Sequence, residues 1–232
     1  MSASLTGTDV ALRELGVLAR KAQKLDDASL LRFRPRHTGD EAEGASPALS
    51  RVWVTTPFGP LGCRSMALTP ERDSMVLRVG SVIDATAGFK NVTGVAGGAP
   101  ASVHTVTAGL PADSSWPGAL PPETGFRQVD VIPATVFRDI ESQAQSVVRE
   151  DSGPLGLPGS LLDQSVLTVS EEDGSQVEIS MRQVFALCLL GFIPEKPRDA
   201  EPVRISTRGR WTRIDGRFGG IYSSSGMGVL PL

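Results

Sequence analysis

The side chains of this chain that could do chemistry are few and scattered. There are two histidines: His37 opens a polar, acidic stretch and His104 lies beside Val103 in a strand-like run. Neither stands in a pattern of zinc-ligand spacing. There are two cysteines, far apart. Cys188 lies inside an apolar run, where a thiol behaves as a small hydrophobe and resists ionisation. Cys63, between Gly62 and Arg64, is the thiol with a case for reactivity. Ser223, Ser224 and Ser225 lack the framing glycines of a nucleophile elbow. Gly94, Gly97 and Gly98 look like a phosphate loop, yet Ala99-Pro100 follows where Gly-Lys would close one, and Lys90 precedes the glycines. Glu171, Glu172 and Asp173 lack the alternating pattern that gathers oxygens around a hard cation. The sequence therefore names no catalytic residue, no metal ligand and no cofactor.

Charge gives a stronger signal. From Glu150 to Met181 every charge is negative, whereas Arg204, Arg208, Arg210, Arg213 and Arg217 face only Asp215 after Pro202. Arg208, Arg210, Trp211, Arg213 and Arg217 are the candidate partner-binding residues. Val203 to Thr207 alternates as a strand, Arg208-Gly209 turns, and Arg210 to Ile214 reads as a second strand before the Asp215-Gly216 turn. On that second strand Arg210, Thr212 and Ile214 share one face and Trp211 and Arg213 the other, with Trp211 expected to pack on the preceding helix.

That helix is predicted over Met181–Ile193. Ser180 is its N-cap, Gln183 its capping-box partner, and Gly191 with Pro194 its stop. Val184, Phe185, Leu187, Leu189, Leu190 and Phe192 cover more than one face, so the helix belongs in a core, Leu189 included. It is too short to span a bilayer. A hairpin precedes it, Val166 to Val169 against Val177 to Ile179, turning at Asp173-Gly174. Helix plus hairpin resembles in outline a helix-and-wing layout, but a recognition helix this apolar would read base edges poorly.

Earlier in the chain, a cap at Thr8 or Asp9 starts an amphipathic helix to about Asp27, with Leu12, Leu15, Leu18 and Ala22 inward and Arg13, Arg20, Lys21 and Lys24 outward. Residues 37–50 read as a polar loop. Strands are predicted at Arg51–Thr56, Gly62–Leu68 and Met75–Val79, and Ser81–Ala87 fits a strand or a short helix. Trp53 is a sheet anchor, and Trp116 lies in a Pro-rich loop from Pro111 to Pro122. A strand at Gly125–Ile132 leads through Pro133 into a helix to about Glu150. Asp151 to Ser160 is the break.

With 232 residues and a formal charge of −3, the chain is neither a polyanion nor a disordered segment. The expected fold is α+β: small antiparallel sheets packed with a few amphipathic helices, as a domain over residues 1–151 and a smaller one over 161–232. The smaller one places its central apolar helix before a basic β-hairpin. No signal peptide or membrane span is read, which with unpaired cysteines favours a cytoplasmic protein. The functional expectation is a non-catalytic interaction or regulatory protein whose basic hairpin meets an acidic protein surface. Nucleic acid, held through phosphates by Arg208 to Arg217, ranks second. An enzyme of unknown class with a site around His104 in the N-terminal domain is the remaining alternative. A homodimer would cover sheet edges.

Overall fold

The structure, a computed structural model, describes residues 2–36, 48–90, 102–151, 159–170, 174 and 176–224. It is a mixed α/β fold with antiparallel sheets and several helices. Two compact units divide it: Met1–Pro57 with Cys63–Gly118, and Phe58–Gly62 with Ala119–Leu232. The break expected at Asp151 to Ser160 falls within the second unit, and its residues 152–158 lie outside the described ones. So do His37, the loop at 37–47, the glycines at 94–98, the acidic turn at 171–173 and Ser225.

The first unit opens with β1 (Ser4–Thr8) and α1 (Asp9–Leu25). Thr8 is the cap: its side chain accepts from the Ala11 amide at 3.1 Å, satisfying one of the helix's orphan donors. Leu12, Leu15, Leu18, Ala19 and Ala22 are buried as the periodicity requires. Next come β2 (Leu30–Pro35), β3 (Leu49–Val54), β4 (Leu61–Pro70), β5 (Met75–Arg78), α2 (Val79–Ala85) and β6 (Val103–Thr107). Strand order runs β5-β2-β3-β4, and β1 pairs with both β4 and β6. Leu30, Leu31 and Phe33 are buried in β2. Ser4–Thr8 becomes a strand only because β4 and β6, both distant in sequence, flank it. No local pattern announces it.

Trp53 is fully buried in β3, as a sheet anchor should be. Trp116 is half-buried and stacks under the Arg32 guanidinium, 5.6 Å from the ring centre. Arg32 also donates to Ser74 Oγ at 2.8 and 2.6 Å. Ser74 has φ of 60°, an uncommon backbone state for a residue with a Cβ, and this fork helps to hold it.

The second unit contains β7 (Arg127–Pro133), α3 (Ala134–Asp151), the single turn α4 (Gly159–Leu162), β8 (Ser165–Ser170), β9 (Gln176–Ser180) and α5 (Met181–Leu189). The sheet continues with β10 (Pro202–Arg208), β11 (Trp211–Gly216) and β12 (Gly219–Ser224). Strands β12-β11-β10-β7 form one antiparallel run, and β8 pairs with β9 in a separate hairpin. Pro133 ends β7 where it was read as the first helical residue. The capping box of Ser180 and Gln183 is present at the start of α5. Phe185 and Phe192 are almost completely buried. Leu189 is not: it is half-buried, facing out of an otherwise enclosed helix.

Candidate binding surface

Register fixes what each face of the second unit's sheet carries. Ile205, Ile214 and Ile221 lie opposite one another across three strands, and all are fully buried, as is Val203. Thr207, Thr212 and Ser223 form a second row on the same face. Gln183 of α5 donates through Nε2 to Ser223 Oγ at 2.7 Å, so this is the face covered by helices. Because neighbouring side chains alternate, the intervening rows point the other way. Those rows are Arg208 with Trp211 and Ser224, Ser206 with Arg213 and Tyr222, and Arg204 with Asp215.

The five candidate residues do not form one patch. Arg208 is exposed, and its Nη1 donates to the Thr124 carbonyl. Arg210 is exposed in the β10–β11 turn and lies 5.7 Å over the Trp211 ring. Trp211 is half-buried on the face away from the helices, which corrects the expected packing on the preceding helix. The expectation failed because the helices cover the face of Thr212 and Ile214, and alternation turns Trp211 to the other one. The strand begins at Trp211, which puts Arg210 into the turn.

Arg213 is committed to the fold. It pairs with Asp215 at 2.7 Å and lies 5.4 Å from the Tyr222 ring centre and 5.8 Å from that of Phe126. Tyr222 and Phe126 themselves meet edge to face at 5.7 Å. Arg217 is exposed beyond the far end of β11, 3.7 Å from Glu201. A strand rises about 3.3 Å per residue, so the six residues of β11 separate Arg210 from Arg217 by roughly 20 Å.

Two clefts flank this sheet within the second unit. One of about 720 Å³ is lined by Phe58, Asp163, Arg182, Gln183, Thr212 and Ser223, among others. Several of its polar groups are engaged with one another. Arg182 Nε donates to Asp163 at 2.6 Å, and that hydrogen bond holds the Asp163 carboxyl below its ordinary range. Gln183 Oε1 accepts from the Ser180 amide at 2.7 Å. The other cleft, about 490 Å³, is lined by Arg198, Glu201, Pro202, Arg204 and Arg217 with Ala200 and Gly216. Arg198 and Arg204 lay outside the candidate set, although alternation from Ser206 already turned Arg204 outward.

Among the described residues, no group of three His, Cys, Asp or Glu side chains could hold a metal. His104 is exposed in β6, edge-on to Phe89 with ring centres 5.2 Å apart. Cys63 and Cys188 are both buried. Burial, followed by the Glu141 carboxylate, pushes the Cys188 thiol far above its usual range. Among the described residues, no helix is long and apolar enough to cross a membrane.

A family model described as a domain of unknown function, DUF8185, matches residues 121–228, which fall inside the second unit and make up just under half of the chain. No curated protein matches. Among solved structures, the DNA polymerase sliding clamp from Bacillus subtilis is 12% identical, with a TM-score of 0.54 over 100% of this chain and 66% of its own. The sliding clamp from Caulobacter crescentus is also 12% identical, with a TM-score of 0.52 over 98% of this chain and 66% of its own. The DNA polymerase III beta subunit from Thermotoga maritima is 10% identical, with a TM-score of 0.50 over 96% and 64%. The fold is thus that of the sliding clamps, and the chain spans less than two thirds of the length of each. This likeness overturns the expected order of partners. An acidic protein face placed ahead of nucleic acid does not agree with a fold whose named holders serve DNA polymerases.

Proposed function

We propose that this chain is a non-catalytic, DNA-associated protein of the sliding-clamp type. The observation that carries the reading is the extent of the likeness, which takes in 98–100% of the chain at TM-scores of 0.52 and 0.54. In this reading α5 and the strands after it form the C-terminal module, and exposed Arg208 and Arg210 meet phosphates. Trp211 braces Arg210 through its ring, Arg217 adds a separate contact, and Arg213 stiffens the sheet beneath. Such contacts position a protein on DNA without reading its sequence.

Fluorescence anisotropy with labelled duplexes of unrelated sequence tests this. Binding should be similar across sequences and fall steeply with salt, by a slope of about 0.9 per phosphate neutralised. Arg208→Glu with Arg210→Glu should weaken every duplex on the order of tenfold or more and flatten the salt slope by about two. Absence of salt-dependent duplex binding by the wild-type chain would sink the reading.

A second placement of the same contacts rests on α1. Lys24 is exposed, Arg20 and Lys21 are half-exposed, and the neighbouring Glu14 is engaged by Arg64 at 2.7 Å. If Lys21→Glu with Lys24→Glu removes binding while the hairpin reversals do not, the phosphates sit on α1.

A further inference from the structure

The smaller cleft of the second unit contains more positive charge than its surroundings use. Three of its lining residues are arginines, and Glu201 is its one carboxylate. Glu201 lies 3.7 Å from Arg217 Nη1, close enough for attraction but long for a hydrogen bond, so the guanidinium keeps its donors. Glu201 is tucked in, with 9% of its side chain exposed against 54% for Arg217. Asp215, the register partner of Arg204, is engaged by Arg213 at 2.7 Å. Arg198 and Arg204 are exposed and form no side-chain hydrogen bond or ion pair among the described residues. Like charges gathered without counter-ions are costly, and an arriving anion relieves that cost.

We propose that this cleft, at Arg198, Arg204 and Arg217, is a binding site for a phosphate or diphosphate group. Guanidinium suits the task because its planar fork donates two parallel hydrogen bonds to phosphate oxygens. Glu201 draws Arg217 to one wall of the cleft. Ala200 and Pro202 provide an apolar rim, and a cleft of about 490 Å³ holds more than a lone phosphate, so the group is one end of a larger molecule. That molecule is either DNA, through its backbone, or a free phosphorylated metabolite. The site does not depend on the clamp reading.

Isothermal titration of the full chain with inorganic pyrophosphate is the direct test. The wild-type chain should bind it saturably, and Arg198→Ala with Arg204→Ala should weaken binding on the order of tenfold or more. Arg204→Lys should fall between them, since it keeps the charge but loses the fork. Glu201→Gln should tighten binding, an effect that damage to the fold could not produce. Arg78→Ala, at an exposed arginine of the first unit, should leave pyrophosphate binding unchanged. No saturable binding to the wild type, or equal binding by the Arg198/Arg204 variant, overturns the proposal. Competition then identifies the source. Duplex DNA that displaces pyrophosphate makes the backbone the natural ligand, whereas DNA that binds without displacing it leaves a free phosphorylated molecule. If DNA does not bind at all but pyrophosphate does, the clamp reading fails and this site stands.

Discussion

Arg138 on α3 ties down the loop that follows α5: its guanidinium donates to the Ile193 carbonyl at 2.8 Å and to that of Pro194 at 2.9 Å. Its remaining nitrogen donates to Glu141 at 2.7 Å, one turn along the same helix. Carbonyls in irregular chain have no partner in a helix or strand ladder, so a neighbouring helix here provides one. Both charges are largely enclosed, with 16% and 9% of their side chains exposed. Arg138→Met should therefore cost ~3–5 kcal/mol, because it leaves Glu141 and two carbonyls without their partner. Urea melts measure this, and a cost under about 1 kcal/mol would mean that water substitutes freely for the guanidinium.

Position along α5 should separate two core substitutions. Phe185 is 1% exposed and stacks on Phe58 with ring centres 5.9 Å apart, so Phe185→Ala should cost ~3–5 kcal/mol. Leu189→Ala at its half-exposed position should cost clearly less than the ~2–5 kcal/mol usual for a buried leucine. Parallel denaturant titrations of the two variants check the order.

Gly216 has no room for a side chain. A Cβ there would lie 2.6 Å from the Phe192 carbonyl oxygen and 2.6 Å from Ile193 Cγ2. Since one of these neighbours is backbone, Gly216→Ala should destabilise by ~1–3 kcal/mol through overpacking. Thermal melts would show it, and a Tm equal to wild type would mean that the β11–β12 turn gives way easily.

Acid sensitivity should be traceable in part to Asp163. The hydrogen bond from Arg182 lowers its folded pKa, so its contribution is complete above the unfolded value of about 3.9. It is lost as pH falls through the lower folded value. Tm should therefore drop less for Asp163→Asn than for wild type on acidification below about pH 4. Equal acid limbs would show that the pair is screened out in solution.

Neither cysteine should react in the native state. Cys63 is 7% exposed and Cys188 3%, and the raised pKa of Cys188 leaves no thiolate near neutral pH. Labelling with a thiol reagent should go to completion only in denaturant. Fast native labelling at Cys63 would restore it as a reactive group.

Where interactions are local, the elements could be read from the residues. Thr8 capping α1, the Ser180–Gln183 box and the β10–β11 turn at Gly209 each depend on residues within a few positions of one another. β1 could not be read so, since Ser4–Thr8 is a strand by virtue of partners near Pro70 and Thr107. The site was legible as a charge imbalance but not as a shape. Spacing shows that Arg208, Arg210, Arg213 and Arg217 are near in sequence. It does not show that Phe126 and Tyr222 enclose Arg213, or that Arg198 comes to line a cleft with Arg204 and Arg217. Those relationships arise from pairing across strands and from a loop folding back.

The two sides of the second unit differ electrically. Arg204, Arg208 and Arg210 are exposed away from the helices, while the solvent side of α3 presents Asp139, Ser142, Gln143 and Ser146. Such an exposed set of arginines gives the sheet side a local excess of positive charge. Near a polyanion it would exert a torque, turning the sheet inward before any contact forms and narrowing the range of productive collisions. This pre-alignment would be strongest in dilute salt and would fade once the screening length drops well below the dimensions of the unit.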